Sequence, residues 1–158
     1  MDREVQMTEI VHRVGIKASP DHVFKALSTI QGLSGWWTAT TTGAPEVGKT
    51  IHFEFRSPKG DVKGNIDMKV VAQEPLTRIQ WECVKGPAEW IGTEIDFDLK
   101  QEDDYTIVLF GHRKWREWVE FTSHCSTKWG TFLMSLKELV ETGTGRPAPR
   151  DVQISNWH

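Results

Sequence analysis

The chain has 158 residues, a formal net charge of −3 and 38% hydrophobic residues. This length and balance predict one globular domain over residues 1–158, and the lack of a basic excess argues against a nucleic-acid partner. The first ten residues are charged and contain no apolar stretch, so they do not resemble a secretory signal. No apolar run approaches the ~18 residues of a membrane span. We therefore expect a cytoplasmic protein.

Two cysteines and eight tryptophans are the informative counts. Cys83 and Cys125 have no paired spacing, which excludes a disulfide framework and a cysteine-based zinc site. Histidine pairs with metal-ligand spacing are also absent, so we expect no metal and no cofactor. Each tryptophan has a large apolar ring and an N–H that needs a partner. Eight in so short a chain indicate that several line a cavity.

The first predicted elements are a strand and two short helices. Residues 9–18 alternate between apolar and polar side chains, as in a half-buried strand. Ser19-Pro20-Asp21 ends it and begins a helix, with Ser19 as N-cap and Pro20 in the first helical position. A second helical segment is predicted over 29–37, and the Thr- and Gly-rich stretch 38–48 is predicted to be a loop.

Five further runs alternate in the same way, and short connections favour antiparallel pairing with one covered face. Their covered positions are Ile51, Phe53, Phe55; Val62, Gly64, Ile66, Met68, Val70; Ile79, Trp81, Cys83; Ile91, Thr93, Ile95, Phe97, Leu99; and Thr106, Val108, Phe110, His112. Glu94, Asp96 and Asp98 fall in the exposed phase and are expected to be solvated. Residues 113–118 mix basic and aromatic side chains and are predicted to be a solvated loop.

A long amphipathic helix over about 120–142 is predicted to cover this sheet. Its apolar stripe runs through Phe121, Cys125, Trp129, Phe132, Leu133, Leu136 and Val140, and Gly143 is placed to end it. The predicted fold is α+β: a curved six-stranded antiparallel sheet around a long C-terminal helix, with two short helices after the first strand. The core spans about 9–143, and the tail 144–158 is expected to be extended.

This order of elements resembles the helix-grip fold of the START-like (SRPBCC, birch-pollen-allergen-like) superfamily. The segment VGIKASPDHVFKAL (14–27), Gly35-Trp36-Trp37, CSTKW (125–129) and FLMSLKELVETG (132–143) resemble most closely the family named for the activator of the heat-shock-protein ATPase. The resemblance implies a cavity between sheet and long helix. Members bind lipids, hormones or polyketides, and some are cyclases or dehydratases.

The principal hypothesis is therefore that the chain binds a hydrophobic small molecule, lipid-like, aromatic or polyketide-like. The residues expected to face the gap between sheet and helix are Trp36, Trp37, Phe53, Phe55, Met68, Trp81, Phe97, Phe110, Trp129 and Leu133, with His12, His112 and Cys83 as polar anchors. For any one of these residues, close packing in a filled core is the competing interpretation.

Two alternatives stay open. A cyclase or dehydratase would use His12 or His112 as general acid or base, although few other ionisable groups share the covered phase. A co-chaperone-like module would instead bind an ATPase partner, and a homodimer is also open. Ser123-His124-Cys125 is not a catalytic signature, because adjacent residues on a helix point in different directions. No catalytic residue is assigned, and binding is favoured over catalysis.

Overall fold

The computed structural model describes residues 8–157; the charged segment 1–7, considered above as a signal, lies outside them. The strands are β1 (Thr8–Ile16), β2 (Thr40–Gly43), β3 (Thr50–Arg56), β4 (Val62–Glu74), β5 (Arg78–Lys85), β6 (Glu94–Glu102) and β7 (Tyr105–Trp115), and the helices are α1 (Pro20–Ser28), α2 (Ile30–Trp36) and α3 (Glu120–Thr142). The strands form one antiparallel sheet in the order β1-β7-β6-β5-β4-β3-β2. This is the predicted helix-grip architecture.

The sheet has seven strands among the described residues, and the prediction of six was wrong in this respect. The additional strand, β2, lies in the stretch 38–48 that was expected to be a loop, and it pairs with β3 at the sheet edge. Its sequence, TTTG, has no apolar alternation, so periodicity could not reveal it. Side-chain hydrogen bonds hold it: Thr38 Oγ1 donates to Glu54 O, and Thr41 Oγ1 donates to Thr38 O, each at 2.6 Å.

The outer face of the sheet is less solvated than predicted. Asp96, expected to be exposed, is only 1% exposed because Arg113 covers it, with its Nε donating to Asp96 Oδ2 at 2.8 Å. The Arg113 guanidinium lies over Gly111, where an added Cβ would come within 2.6 Å of it. The predicted loop at 113–118 is also shorter, because β7 continues to a buried Trp115. Conversely, β6 begins at Glu94, so Ile91 and Thr93, which were predicted to lie in this strand, precede it.

The two short helices meet at a glycine. An added Cβ on Gly32 would lie 2.6 Å from the Ala26 backbone, so α2 approaches α1 closely at this point. Trp36 secures the contact, since its indole N–H donates to Ala26 O at 3.0 Å. The predicted N-cap Ser19 precedes Pro20 as expected, but its hydroxyl bonds to Asp21 rather than to the helix backbone.

Helix α3 has the bounds predicted for it. Val119 N–H donates to Thr122 Oγ1 at its start, and Gly143 ends it with φ of 91°, a left-handed conformation that favours glycine. Trp129, Leu133 and Leu136 are buried on its inner side. Beyond it, the chain returns to α2, where Ala148 N–H donates to Trp37 O and Ala39 N–H donates to Ala148 O.

Trp37 connects the sheet to α3. Its ring lies 4.2 Å from the Phe53 ring and 4.9 Å from the Trp129 ring, and it stacks on Trp81 at 6.0 Å. Trp37 thus contacts Phe53, Trp81 and Trp129 together. Trp129 meets the sheet at Phe110, with a ring separation of 4.6 Å.

We expect Gly32→Ala to destabilise the protein by about 1–3 kcal/mol, because the methyl group would overlap the Ala26 backbone. Gly130→Ala is the matched control. Gly130 lies inside α3, and its added Cβ would meet only the His12 ring edge at 4.0 Å, so the change should stabilise by roughly 0.5–1 kcal/mol. Urea unfolding measures both. Equal effects of the two substitutions would contradict the close contact of α1 and α2.

Candidate functional site

A cavity of about 610 Å³ opens at the end of the sheet where β3 and β4 join. Its walls come from five parts of the chain: Trp37 at the end of α2, the β3–β4 hairpin, the loop after β5, the first half of α3, and segment 148–153. The lining residues include Trp37, Phe55, Gly64, Ile66, Gly86, Pro87, Trp90, Phe121, His124, Cys125, Lys128, Trp129, Phe132, Ala148, Asp151 and Gln153. This volume is typical of a site for a small organic molecule.

The absence of a side chain at Gly64 leaves space for the cavity. Along β4, Ile66, Met68 and Val70 are buried, and the next position in the same phase is Gly64. An added Cβ on Gly64 would meet no atom within 4 Å, although its φ is not in the positive range. The backbone would therefore accept a side chain here without strain. The sheet keeps its inward phase but presents no side chain at this position.

The inner wall of the cavity is aromatic. Trp90 stacks on Trp129 with ring centroids 6.0 Å apart and planes 18° apart, and Trp37 adjoins Trp129. All three rings line the cavity, and each residue is at most 6% exposed. Flat, rigid, polarisable surfaces of this kind favour a ring-bearing or extended apolar ligand.

The polar lining is sparse on α3. Lys128 pairs with Asp151, its Nζ donates to Val152 O at 2.8 Å, and it lies 5.3 Å from the centre of the Phe132 ring. One turn earlier, partial burial and then the nearby Lys128 charge lower the pKa of His124. Beside Trp90, burial raises the pKa of Cys125 to about 12, so its thiol stays protonated at neutral pH.

Three of the thirteen residues proposed from sequence line the cavity: Trp37, Phe55 and Trp129. The structure places the other ten in the packed interior or at its edge: Trp36, Phe53, Met68, Trp81, Cys83, Phe97, Phe110, His12, His112 and Leu133. Periodicity identifies the covered face correctly for most positions, but Val62 and Ile91, which were assigned to it, are 49% and 47% exposed. It does not show where along that face the side chains fill the space and where they leave a void.

His112 is part of a buried hydrogen-bonded chain. The Trp129 indole N–H can only donate, and it does so to His112 Nδ1 at 3.0 Å. The ring proton therefore sits on Nε2, which donates to Thr93 Oγ1 at 2.8 Å, and that hydroxyl donates to Trp90 O at 2.6 Å. Both ring nitrogens are thus engaged, and burial lowers the pKa of His112 to about 3. This neutral histidine positions Trp129 and the Trp90 loop.

The remaining proposed polar anchors also have structural partners. His12 Nε2 lies 3.1 Å from Ser126 O, joining β1 to α3. Burial raises the pKa of Cys83 to about 11, and its thiol donates to Lys85 O at 3.5 Å. Among residues 8–157, no group of three His, Cys, Asp or Glu side chains could hold a metal ion. His12, His112 and Cys83 are therefore engaged in contacts within the fold.

Sequence reasoning omitted several lining residues from the proposed site. Phe121, Cys125 and Phe132 were on the predicted helix stripe, and Ile66 and Gly64 were on the covered phase of β4. A signal for the cavity was present in Gly64, since a glycine inside a strand often marks a close approach by a ligand or another backbone. Trp90 carried no periodic signal because it lies in the loop between β5 and β6.

Comparisons with known proteins identify the class. The family model described as "Activator of Hsp90 ATPase homolog 1-like protein" matches residues 17–141. A solution structure titled as the Aha1 dimer from Colwellia psychrerythraea is 43% identical, with a TM-score of 0.77, and the match covers 88% of this chain and 100% of that one. A comparison with curated protein sequences finds no match.

More distant structures share the fold alone. Protein MLL2253 from Mesorhizobium loti is 17% identical with a TM-score of 0.68, over 84% of this chain and 96% of that one. CalU16 from Micromonospora echinospora is 17% identical with a TM-score of 0.65, over 87% of this chain and 78% of that one. The fold and cavity define a helix-grip protein. Within that class, the chain belongs to the Activator of Hsp90 ATPase homolog 1-like family.

We expect His112 to make stability depend on pH. In the unfolded chain a histidine titrates near its ordinary value of 6.5, whereas the folded pKa is about 3. The stability is therefore complete above about pH 6.5 and declines as the pH falls towards 3, by roughly 1 kcal/mol per pH unit once below 6. Urea unfolding between pH 7 and 5 measures this slope.

His112→Gln is the informative variant, because a glutamine amide can accept from Trp129 and donate to Thr93 at the same time. It should remove most of the slope between pH 7 and 5. His22→Gln, at an exposed histidine, should leave the slope unchanged. A His112→Gln protein with the wild-type slope would contradict the buried neutral state of His112.

Proposed function

We propose that the protein binds an apolar, ring-containing or extended small molecule in the cavity beside Gly64. The observation that carries this proposal is the void itself. A volume of about 610 Å³ remains where neighbouring inward positions of the same strand are filled by Ile66 and Met68. A structure that gained only stability from this region would fill it, since close packing is the norm in protein interiors.

The chemistry of the walls supports an apolar ligand. Trp37, Trp90 and Trp129 supply most of the ring surface, and Phe55 and Phe132 continue it. The cyclase-type alternative is not supported at either of its candidate histidines. His112 is buried with both nitrogens bonded, His12 Nε2 lies 3.1 Å from Ser126 O, and neither residue lines the cavity. Of the histidines that the structure describes, His124 lines the cavity, and the one carboxylate of the lining, Asp151, is paired with Lys128.

A second candidate function rests on the family name. The matching model is named for an activator of the Hsp90 ATPase, and the 43% identical relative is titled as an Aha1 dimer. We therefore keep as proposals an interaction with a chaperone ATPase and self-association of this chain. A substitution that fills the cavity distinguishes them from ligand binding, because it changes the cavity and leaves the outer surface of the protein as it is. No helix in residues 8–157 is long and apolar enough to span a membrane.

We expect Gly64→Phe to abolish binding of an uncharged apolar probe such as N-phenyl-1-naphthylamine. The phenyl ring would enter the cavity without backbone strain, because Gly64 has open space around its Cβ. Probe fluorescence should rise to saturation with the wild-type protein. In the variant the affinity for the probe should fall at least about tenfold, which is a loss of ~1.4 kcal/mol or more of binding free energy.

Val71→Phe is the matched control, since it adds an aromatic ring at an exposed position of the same strand. It should bind the probe as the wild type does. Equal binding by Gly64→Phe and wild type would overturn the cavity as the site. Retention of a chaperone ATPase or of a dimer by Gly64→Phe, with probe binding lost, would show that those interactions are separate from the cavity.

A further inference from the structure

Lys128 is the cation of α3 that faces the cavity. It lies on the side of α3 that faces the cavity, together with the other lining residues of this helix, among them Phe121, His124, Cys125 and Phe132. Its side chain is only 17% exposed, so its charge is partly removed from water. A partly buried ammonium needs an anionic or strongly polar partner.

The present partner of Lys128 comes from a segment that we name the strap, residues 149–157. Asp151 pairs with the ammonium, and Val152 O accepts a hydrogen bond from it. Asp151 is also the one acidic side chain among the residues that line the cavity, against Arg56, Lys63 and Lys128. The strap therefore supplies the carboxylate that the fixed walls of the cavity lack.

The strap has few other attachments among the described residues. Up to Ala148 the chain is fixed by backbone hydrogen bonds to Trp37 and Ala39. Beyond it, the side-chain bonds of Gln153 remain within the strap, and Trp157 lies over His124 with a ring separation of 5.1 Å. Trp157 is 38% exposed, so this contact is at the surface. The polar attachment of the strap to α3 is thus made through Lys128.

We propose that Lys128 anchors the acidic group of the ligand, and that a ligand carboxylate takes the place of Asp151 and releases the strap. This inference rests on the proposed function and specifies its ligand class: an apolar ring or chain that carries a carboxylate. Such a ligand would place its apolar part against Trp129 and Trp90 and its anion on Lys128. No bond is made or broken; one ion pair is exchanged for another.

The exchange replaces one ion pair with another of the same kind. Both carboxylates would form a charge-assisted hydrogen bond to the same ammonium, so the ion pair itself changes little, while release of the strap also removes the hydrogen bond from Lys128 Nζ to Val152 O. The ligand adds contact with the aromatic wall, whereas the Asp151 pair requires an ordered strap, which costs conformational entropy. Binding is therefore weakened by competition from Asp151, and removal of that competitor should strengthen it.

The test compares 2-naphthoic acid with 2-naphthamide, which have the same ring system and differ in charge. Each displaces N-phenyl-1-naphthylamine from the full chain, and displacement gives its affinity. The acid should bind the wild type about tenfold more tightly than the amide, as expected for a partly buried charge-assisted contact. Lys128→Met should remove this preference, while Asp151→Asn should increase it several-fold.

Lys137→Met is the matched control. Lys137 lies on the same helix and also pairs with a carboxylate, Glu141 at 2.8 Å, but it does not line the cavity. It should keep the wild-type preference for the acid. The indole N–H signal of Trp157 in NMR spectra reports the strap: the acid should shift it towards the value of a solvent-exposed indole, and the amide should not.

The outcomes separate the two proposals. If the fluorescent probe binds but acid and amide compete equally, Lys128 is not an anion anchor and the proposed function stands. If Asp151→Asn leaves the affinity for the acid unchanged, or the acid leaves the Trp157 signal in place, exchange with the strap is wrong. If neither the probe nor either naphthalene binds, both proposals fail together.

Discussion

The contact of the Trp37 ring with both Trp129 and Trp81 organises the interior. It joins α3 to the concave face of the sheet through a residue that belongs to neither. Two backbone hydrogen bonds fix the position of Trp37. Its backbone N–H closes the last turn of α2 by donating to Leu33 O, and its backbone carbonyl accepts from Ala148 N–H. Without this ring, α3 and β5 would be separated by a gap that only a large side chain can fill.

Two consequences follow along the sheet. On the side of Trp36, Phe97 and Phe110, aromatic rings pack edge to face, with centroids 6.1 Å and 5.3 Å apart. On the other side, the next inward position of β4 after Ile66 is Gly64, which has no side chain to pack against the core. The His112 chain of hydrogen bonds keeps Trp129 and the Trp90 loop in place at this boundary. The cavity therefore has a rigid inner wall and an outer side formed partly by the strap.

The sequence determined much of the fold through two periodicities. Alternation located six strands and their covered faces, and the helical stripe from Phe121 to Val140 located α3 with its glycine stop. Alternation did not reveal β2, because three threonines and a glycine carry no apolar pattern. Alternation assigned Asp96 correctly to the outer face of the sheet. Its burial depends on the long side chain of Arg113, and residue spacing does not predict the direction in which that side chain points.

The site was less predictable for a physical reason. A covered face specifies which side chains point inward, whereas a cavity depends on the sum of their volumes at one place. Trp81, Phe97 and Gly64 all lie on the covered face of the sheet. The two aromatic side chains fill space there, whereas Gly64 leaves space empty. The role of Trp90 depends on the path of a loop, and that of Asp151 on the return of the chain after α3. Neither has a local sequence pattern.

The most direct test is a crystal structure of the protein with N-phenyl-1-naphthylamine bound. We expect the probe rings beside the Gly64 Cα, in contact with Trp90 and Trp129, with the Trp36 and Phe97 side of the core unchanged. A cavity closed by its own side chains, with the probe on the outer face of the sheet, would contradict cavity binding.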